Sequence, residues 1–274
     1  MFATDRTMPV HELARAAEER GLYSLYIPEH THIPTSRTTP APMGGDLDEE
    51  YSHTVDPFVA LAAAAAVTQR IRLGTGICLI AQREPLVTAK VVATLDQISD
   101  GRVELGIGFG WNREEMEHHG IDFATRRDLA REHMLAVKEL WTKDTASFDG
   151  TFVKFESSWS WPKPVQAGGP PVLIGGAAGP KMFRHIAEYA DGWIPIGGAG
   201  LRAALPDLHQ ACEAFGRDPS AMRIVPFGTL PDPGKFDYYA SIGIEETVLR
   251  VPGGGADTVL PVLDQYAEIV AAGR

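Results

Sequence analysis

The stretch DPFVALAAAAAVTQRIRLGTGICLIAQREPLVTAKVVATLDQISDGRVELGIGFG, residues 56–110, decides the fold class of this chain. It starts with an Asp-Pro pair, a helix N-cap followed by proline at the first helical position, and continues as an alanine-rich run. Two apolar runs follow, separated by a helical pattern that begins at Glu-Pro and ends at Asp-Gly. Strands that are apolar throughout have both faces buried, as in a parallel sheet covered by helices. The stretch therefore predicts a helix over residues 56–68, a strand over 71–77, a helix over 84–100 and a strand over 103–108.

The same alternation continues along the chain in both directions. Strand-like runs lie at residues 1–4, 23–28, 71–77, 103–108, 172–175, 192–196, 224–228 and 247–251. Eight β/α units in 274 residues predict an α/β fold of the TIM (β/α)8 barrel type, as one domain over residues 1–274. Long loops lie at residues 31–55, after the second strand, and 143–170, before the fifth, and such loops are usually functional. The first run is short for a barrel strand, which predicts that the native strand starts before Met1.

Composition and charge exclude several classes of partner. The formal net charge is −11, whereas nucleic-acid binding needs a basic face. The chain has no basic amphipathic segment for a membrane surface, and its longest apolar run, residues 59–67, is too short to span a bilayer. Cys78 and Cys212 are far apart and form no CxxC pair, which predicts buried thiols in a cytoplasmic protein. We expect a small-molecule substrate, with neither nucleic acid nor membrane as partner.

A carboxylate and an imidazole follow the second predicted strand. In a barrel, the residues after the carboxyl ends of the strands form the active site, which makes Glu29 and His30 catalytic candidates. The alternative is a hydrogen-bonded loop histidine without catalytic function. A metal site is a further alternative, because the same segment supplies His32, His53, Asp46 and Asp48. No later predicted strand ends in histidine, so no metal site is predicted.

Four predicted strands end in glycine-rich sequences. They are LGTGI (73–77), LGIGFGWN (105–112), LIGGAAGP (173–180) and PIGGAG (195–200). Glycine lets a backbone approach a ligand closely, and successive N–H groups bind phosphate oxygens. Tight turns after strands are the alternative explanation for each glycine pair. The second sequence is not a dinucleotide-binding fingerprint, because its last required glycine is Trp111.

Three long segments resemble one known superfamily. They are ARAAEERGLYSLYIPEH (14–30), residues 56–116, and PPVLIGGAAGPKMFRHIAEYADGWIPI (170–196). Together they resemble the bacterial luciferase-like monooxygenase superfamily, in particular its branch that depends on the deazaflavin coenzyme F420. The resemblance is weaker from about Leu201 onward. It implies a TIM barrel that binds a flavin or deazaflavin ring at its mouth and forms a homodimer.

The resemblance also implies roles for particular residues. Glu29 and His30 would lie at the ring and the substrate, and His30 would donate or accept a proton. A cis peptide between Gly76 and Ile77 would support the ring, whereas Arg83 and Lys90 are assigned no role. The other cofactor-binding residues would be Gly108, Phe109, Gly110, Gly176, Ala177, Ala178 and Gly179, the last four at the phosphate. The substrate pocket would include Trp111 and Trp193.

Two departures from the superfamily pattern bear on the cofactor. Trp111 replaces the catalytic glutamate of the deazaflavin-dependent sugar-phosphate dehydrogenases, which disfavours a sugar-phosphate substrate. Phe109 replaces the arginine that bacterial luciferases use for the FMN phosphate, which favours coenzyme F420 over FMN. We therefore expect hydride transfer between F420 and a small organic substrate. The alternatives are an FMN-dependent monooxygenase working with a separate flavin reductase, and a non-catalytic flavin-binding protein on the same barrel.

Overall fold

The computed structural model describes residues 2–272, in which helices alternate with strands. The helices are α1 (Val10–Glu19), α2 (Pro57–Val67), α3 (Pro85–Ser99), α4 (Arg113–His118), α5 (Arg126–Thr142), α6 (Pro180–Tyr189), α7 (Leu201–Ala214), α8 (Pro233–Ala240) and α9 (Ala256–Ala272). The strands are β1 (Ser24–Ile27), β2 (Arg72–Thr75), β3 (Val103–Ile107), β4 (Ala146–Asp149), β5 (Lys154–Ser158), β6 (Val172–Gly175), β7 (Gly192–Ile194), β8 (Arg223–Ile224), β9 (Phe227–Thr229) and β10 (Val248–Leu249).

The main sheet is parallel and curled. Its strand order is β1-β2-β3-β6-β7-β8, and a parallel pair, β9 and β10, is linked to it by a bridge between Ile196 and Phe227. The curl brings the Oε1 atom of Glu246, just before β10, within 2.7 Å of Ser24 Oγ at the start of β1. Within the described residues β1 and β10 form no ladder with each other, so the sheet is a partial barrel. The α/β class is confirmed, and a closed eight-stranded barrel stays a prediction.

The prediction of a strand at residues 1–4 was wrong for the residues that the structure describes. Thr4 forms a single antiparallel bridge with Thr54, and the Ala3 carbonyl accepts a hydrogen bond from Val55 N. These residues therefore pair with the loop after β1 instead of joining the sheet, and Met1 lies outside the described residues. Each of the other seven predicted ranges overlaps a parallel strand, and the range 224–228 overlaps two, β8 and β9. The 143–170 insertion holds an antiparallel hairpin, β4–β5, that was not predicted.

Local chemistry explains why residues 56–110 fold as they do. The Asp56 carboxylate accepts hydrogen bonds from Phe58 N and Val59 N, and so caps α2. Glu84 caps α3 in the same way through Val87 N, at 2.6 Å. At the other end of α3, Asp100 adopts a left-handed conformation with φ 55°, which terminates the helix. These caps fix the ends of α2 and α3, the crossover helices that connect β1 to β2 and β2 to β3 as parallel neighbours.

A buried guanidinium joins α2 to the sheet. Arg102, directly before β3, donates hydrogen bonds to the carbonyls of Ala65, Thr68 and Ile71. The last carbonyls of a helix have no partner within the helix, so the Arg102 side chain satisfies groups that burial would otherwise leave unpaired.

Within residues 2–272 no helix combines the length and the apolar character required to cross a bilayer.

Candidate active site

A cavity of about 2150 Å³ opens at the carboxyl ends of the parallel strands. The loop after β1 covers part of it through Met43 and Tyr51, and the opposite wall includes Gly176 and Ala177. The cavity continues along the side of the sheet between β1 and β10. Both catalytic candidates, Glu29 and His30, lie in its lining.

His30 forms a hydrogen-bonded pair with a buried carboxylate. Its Nδ1 lies 2.8 Å from Oε2 of Glu115, which belongs to α4 and is fully buried. Glu115 Oε1 accepts a hydrogen bond from Thr31 N, at 3.2 Å. A carboxylate only accepts, so Nδ1 carries the proton and Nε2 has its lone pair available. The pair therefore holds the imidazole in one tautomer, with Nε2 able to accept a proton.

Aromatic rings surround this imidazole. The ring centroid of Tyr51 lies 5.2 Å from that of His30, and the ring of Trp111 lies 5.8 Å away, edge to face. Tyr51 and Trp111 also contact each other, with centroids 5.9 Å apart. The Arg37 guanidinium stacks over Trp111 at 5.7 Å. The structure thus places Trp111 in the cavity wall beside His30, where a substrate pocket was predicted.

The buried Glu29 carboxylate binds the segment that follows β2, and its predicted roles in catalysis and cofactor binding stay predictions. Its carboxylate accepts hydrogen bonds from Leu79 N, at 2.7 Å, and from Arg83, which also pairs with Asp56. The predicted cis peptide between Gly76 and Ile77 is present three residues before Leu79. Glu29 therefore fixes the segment that follows β2 at two points, the backbone of Leu79 and the side chain of Arg83. No role had been predicted for Arg83, which sequence patterns do not distinguish from a surface arginine.

The predicted glycine positions fall into two groups. Gly76, Gly110 and Gly176 line the cavity, together with Ile77, Phe109 and Ala177. Gly108 does not: a β-carbon there would come within 1.8 Å of Ile77 Cδ1, so packing against that side chain requires glycine. Ala178 and Gly179 lead into α6 and lie outside the lining.

The prediction that Trp193 walls the substrate pocket was wrong. The indole is buried, packs edge to face against Phe183 of α6, and lies outside the cavity lining. Its Nε1 donates a hydrogen bond to the Gly176 carbonyl, at 2.8 Å. Trp193 therefore points from the sheet toward the helix layer and supports the Gly176 loop from behind.

Two arginines at the start of α5 line the cavity and were missed by the sequence analysis. Arg126 Nε and Arg127 Nη1 are buried without a hydrogen-bond partner, and neither guanidinium forms an ion pair with a described carboxylate. Arg127 stacks over the ring of Phe109 at 4.4 Å. Burial, together with the charge of Arg127, lowers the pKa of Arg126. Unpaired buried donors of this kind fit an anionic group of a ligand.

Sequence alone held one signal for this pair. Arg126 and Arg127 are adjacent at the start of an amphipathic helical pattern, and Arg131 follows one turn later. Their position beside Phe109 depends on how α5 packs against the loop after β3, which the sequence does not reveal.

Among residues 2–272, no cluster of three or more His, Cys, Asp or Glu side chains has the arrangement of a metal site.

Comparisons with known proteins agree with this geometry. The sequence model of one family, described as luciferase-like monooxygenase, matches residues 5–230. An uncharacterized protein of Mycobacterium tuberculosis (strain ATCC 25618 / H37Rv) is 41% identical over 275 residues, covering 99% of this chain and 97% of that protein. Pyrimidine monooxygenase RutA of Allorhizobium ampelinum is 29% identical over 231 residues, covering 80% of this chain and 60% of that protein.

Solved structures share the fold at low sequence identity. An F420-dependent secondary alcohol dehydrogenase, in complex with an F420-acetone adduct, has a TM-score of 0.78 and 19% identity, covering 100% of this chain and 98% of that chain. Monooxygenase RslO1 from Streptomyces bottropensis has a TM-score of 0.77 and 23% identity, with coverages of 97% and 92%. Identities this low support the fold, and they leave the choice of cofactor open.

Proposed function

This chain belongs to the luciferase-like monooxygenase family of flavin- or F420-dependent enzymes, and on that premise we propose that it transfers hydride between coenzyme F420 and a small neutral organic substrate. His30 is the proton-handling group in this proposal. The observation that carries it is the pairing of His30, in the cavity lining, with the buried Glu115, while His30 Nε2 has no hydrogen-bond partner among the described residues.

The residues around the cavity fit a cofactor of this class. The unpaired donors of Arg126 and Arg127 would hold its phosphate, together with backbone N–H groups at the start of α6. When bound, a deazaflavin ring supplies a carbon that gives or takes hydride. The protein's part is to orient, to exclude water and to move a proton at His30 Nε2.

The lining around His30 favours a neutral substrate. Tyr51 and Trp111 present aromatic surface, and Met43 adds an apolar side chain from the covering loop. Asp48 and Glu50 lie on the same loop and would repel carboxylate or phosphate groups. Secondary alcohols and ketones match this combination of an apolar wall and one proton-handling imidazole.

One observation favours FMN as the alternative cofactor. Phe109 occupies the position at which luciferases carry a phosphate-binding arginine. The guanidinium of Arg127 lies over the Phe109 ring, so a positive charge is present beside that position. An FMN-dependent monooxygenase, supplied by a separate flavin reductase, is therefore the second candidate. A protein that binds the cofactor without turnover is the third.

A titration distinguishes the three. The purified protein is titrated with F420 and with FMN, separately, by fluorescence, and turnover is measured with a panel of secondary alcohols and ketones. We expect tighter binding of F420 and turnover of at least one substrate. Tighter FMN binding with oxygen uptake from reduced FMN would favour the monooxygenase, and binding of neither cofactor would refute the proposal.

The role of His30 is tested by His30→Ala, with His11→Ala, a partly exposed histidine outside the cavity lining, as the matched control. We expect turnover to fall about a hundredfold or more, the usual contribution of general acid–base catalysis. F420 affinity should change little, because the phosphate contacts are untouched. Equal losses of affinity and turnover would make His30 a binding residue only.

A further inference from the structure

The glycine-rich loop after β7, residues 195–200, leads directly into α7. Gly197 and Gly200 have φ angles of 66° and 75°, a conformation that favours glycine. Gly197 N donates a hydrogen bond to the Phe227 carbonyl, at 2.9 Å, whereas the N–H groups of residues 198–201 have no acceptor within residues 2–272. The loop therefore presents a run of unpaired donors at the amino end of a 14-residue helix.

Positive charge at the amino end of α7 is not compensated by the helix itself. Its N-cap residue is Gly200, and its first turn contains no acidic residue. The second residue is Arg202, whose charge adds to the positive end of the helix dipole. The Arg202 guanidinium lies over the ring of Tyr238, at 5.6 Å, and donates to Ser241 Oγ, at 2.9 Å, and it forms no ion pair with a described carboxylate. A bound anion would be favourable here.

A buried hydroxyl points at the same loop. Tyr239 of α8 is 3% exposed, and its hydroxyl has no hydrogen-bond partner within residues 2–272. The hydroxyl lies so close to Gly198 that a β-carbon there would overlap it. A buried polar group without a partner is costly, so this group calls for an explanation. Tyr239 also lines the cavity, as do Ile196 and Ala240, so the unpaired groups lie at the edge of the cavity.

We propose that residues 198–202 and the Tyr239 hydroxyl form a second anion-binding subsite of the cavity, which takes a phosphate or carboxylate group. We name these residues the α7 subsite. The backbone N–H groups and the Arg202 guanidinium can only donate, and the hydroxyl can donate as well, so the group that satisfies them together is an acceptor with several lone pairs. An oxyanion is such a group, and the amino end of a helix favours its charge.

The α7 subsite is distinct from the phosphate contacts proposed above, which belong to Arg126, Arg127 and the start of α6. The inference therefore goes beyond the proposed function. Two ligands of the cavity can carry the oxyanion: a cofactor with a second anionic group besides that phosphate, or a substrate with an anionic group away from His30. Both present the same chemistry to the α7 subsite.

A titration with inorganic phosphate tests the α7 subsite directly. The amide signals of residues 198–201 are followed by nitrogen–proton NMR of the full chain as phosphate is added. We expect saturable shifts of these signals, which report the α7 subsite separately from Arg126 and Arg127. Tyr239→Phe keeps the ring and removes only the hydroxyl, and it should weaken the phosphate affinity at these signals roughly tenfold, as expected for the loss of a hydrogen bond to a charged group.

Tyr23→Phe is the matched control, because Tyr23 is an exposed tyrosine directly before β1, at the opposite ends of the strands. Arg202→Gln should also weaken phosphate binding, and its control is Arg15→Gln, which changes an exposed arginine of α1. Both controls should bind phosphate as the wild type does. Circular dichroism verifies that each variant is folded. Absence of shifts in residues 198–201, or equal affinity in Tyr239→Phe and Tyr23→Phe, would overturn the proposal.

Repeating the titration in the presence of saturating F420 identifies the ligand that carries the oxyanion. If bound F420 abolishes the phosphate-induced shifts of residues 198–201, the cofactor occupies the α7 subsite. If the shifts persist in the F420 complex, the α7 subsite is left for the substrate. Failure of F420 to bind would refute the proposed function, whereas the α7 subsite is decided by the phosphate titration of the protein alone.

Discussion

At the scale of single residues, the candidate site depends on pairs that are far apart in the chain. His30 contacts Glu115, and Glu29 contacts Arg83 and the backbone of Leu79. In each pair a buried carboxylate fixes a neighbour that would otherwise have several orientations. Glu115 thereby acts as a positioning residue, whereas His30 is the group that would meet the substrate.

The substitution Glu115→Gln tests this division of roles. It removes the charge that holds the proton on His30 Nδ1, and loss of such a partner typically costs about tenfold to a hundredfold in activity. We expect that loss in turnover, with F420 affinity unchanged. Nitrogen NMR of histidine-labelled protein should show a mixture of His30 tautomers in place of one.

The control is Glu117→Gln, which changes an exposed carboxylate on the same helix. It should leave both the tautomer and the rate as in the wild type. A single unchanged tautomer in the Glu115→Gln variant would contradict the positioning role.

At the scale of elements, helix α4 holds the loop after β1 over the cavity. The Glu114 carboxylate accepts hydrogen bonds from the backbone and side chains of both Thr38 and Thr39, which lowers its pKa. A chain of imidazoles adds to this contact: His32 Nε2 lies 2.9 Å from His118 Nδ1, and Thr31 Oγ1 bridges His32 and His119. We call these contacts the loop latch.

The loop latch should weaken on acidification. Burial, and next the neighbouring His32, lower the pKa of His119 below its ordinary value of 6.5. Because the pKa of His119 is lowered in the latched state, the unlatched state binds the proton more readily. The stability that His119 gives to the loop latch is therefore complete above pH 6.5 and is lost as the pH falls through the lowered pKa of the latched state. Glu115 and Glu29 oppose this shift, and His118 adds to it.

Hydrogen exchange measures this effect directly. Amide exchange in residues 31–39, corrected for its intrinsic pH dependence, should accelerate between pH 7 and pH 5 relative to that in α5. His119→Asn, which cannot be protonated, should reduce the pH dependence. Equal pH dependence in that variant and the wild type would rule out His119 as the responsive group.

At the scale of the whole molecule, one charge cluster connects four strands of the main sheet. Glu104 of β3 is fully buried and pairs with Arg72 of β2, Arg223 of β8 and the Tyr26 hydroxyl of β1. Arg223 also pairs with Glu246, at 2.6 Å. Burial raises the pKa of Glu104, but Arg223 and Tyr26 outweigh burial and the pKa is lowered. Tyr26, Arg223 and Glu246 of this cluster also line the part of the cavity that runs along the sheet between β1 and β10.

We expect Glu104→Gln to lower the free energy of unfolding by about 1–3 kcal/mol, because the half-buried guanidinium groups of Arg72 and Arg223 lose their shared charged partner. Glu246→Gln should lower the free energy of unfolding by less than Glu104→Gln does. Burial and the charge of Glu104 raise the Glu246 pKa, so the charged form of Glu246 contributes less stability. Urea unfolding measures both values. Equal losses would contradict the central role of Glu104.

The pH dependence has a defined sign. A lowered carboxyl pKa contributes stability that is complete above the ordinary value of 4.5 and is lost as the pH falls through the lower folded value. Wild-type stability should therefore decrease below about pH 4.5, and Glu104→Gln should lack this part of the decrease.

Local sequence alone determined most of the elements and their order. Helices were predicted over residues 56–68 and 84–100 and observed there as α2 and α3, and the alternation around residues 56–110 correctly predicted parallel strands between helices. These signals are local, because caps, turns and apolar periodicity depend on residues a few positions apart. The cis peptide at Gly76 was also predicted, from resemblance to the family, and is present.

Only the tertiary structure decided which side chains meet. Glu115 of α4 contacts His30, and Arg127 of α5 contacts Phe109. Both contacts depend on how these helices pack against the ends of the strands. The direction of Trp193 was mistaken because a three-residue strand carries no alternation from which its inward face can be read. Sequence patterns record which groups prefer burial; the packing of helices and strands determines which buried groups become partners.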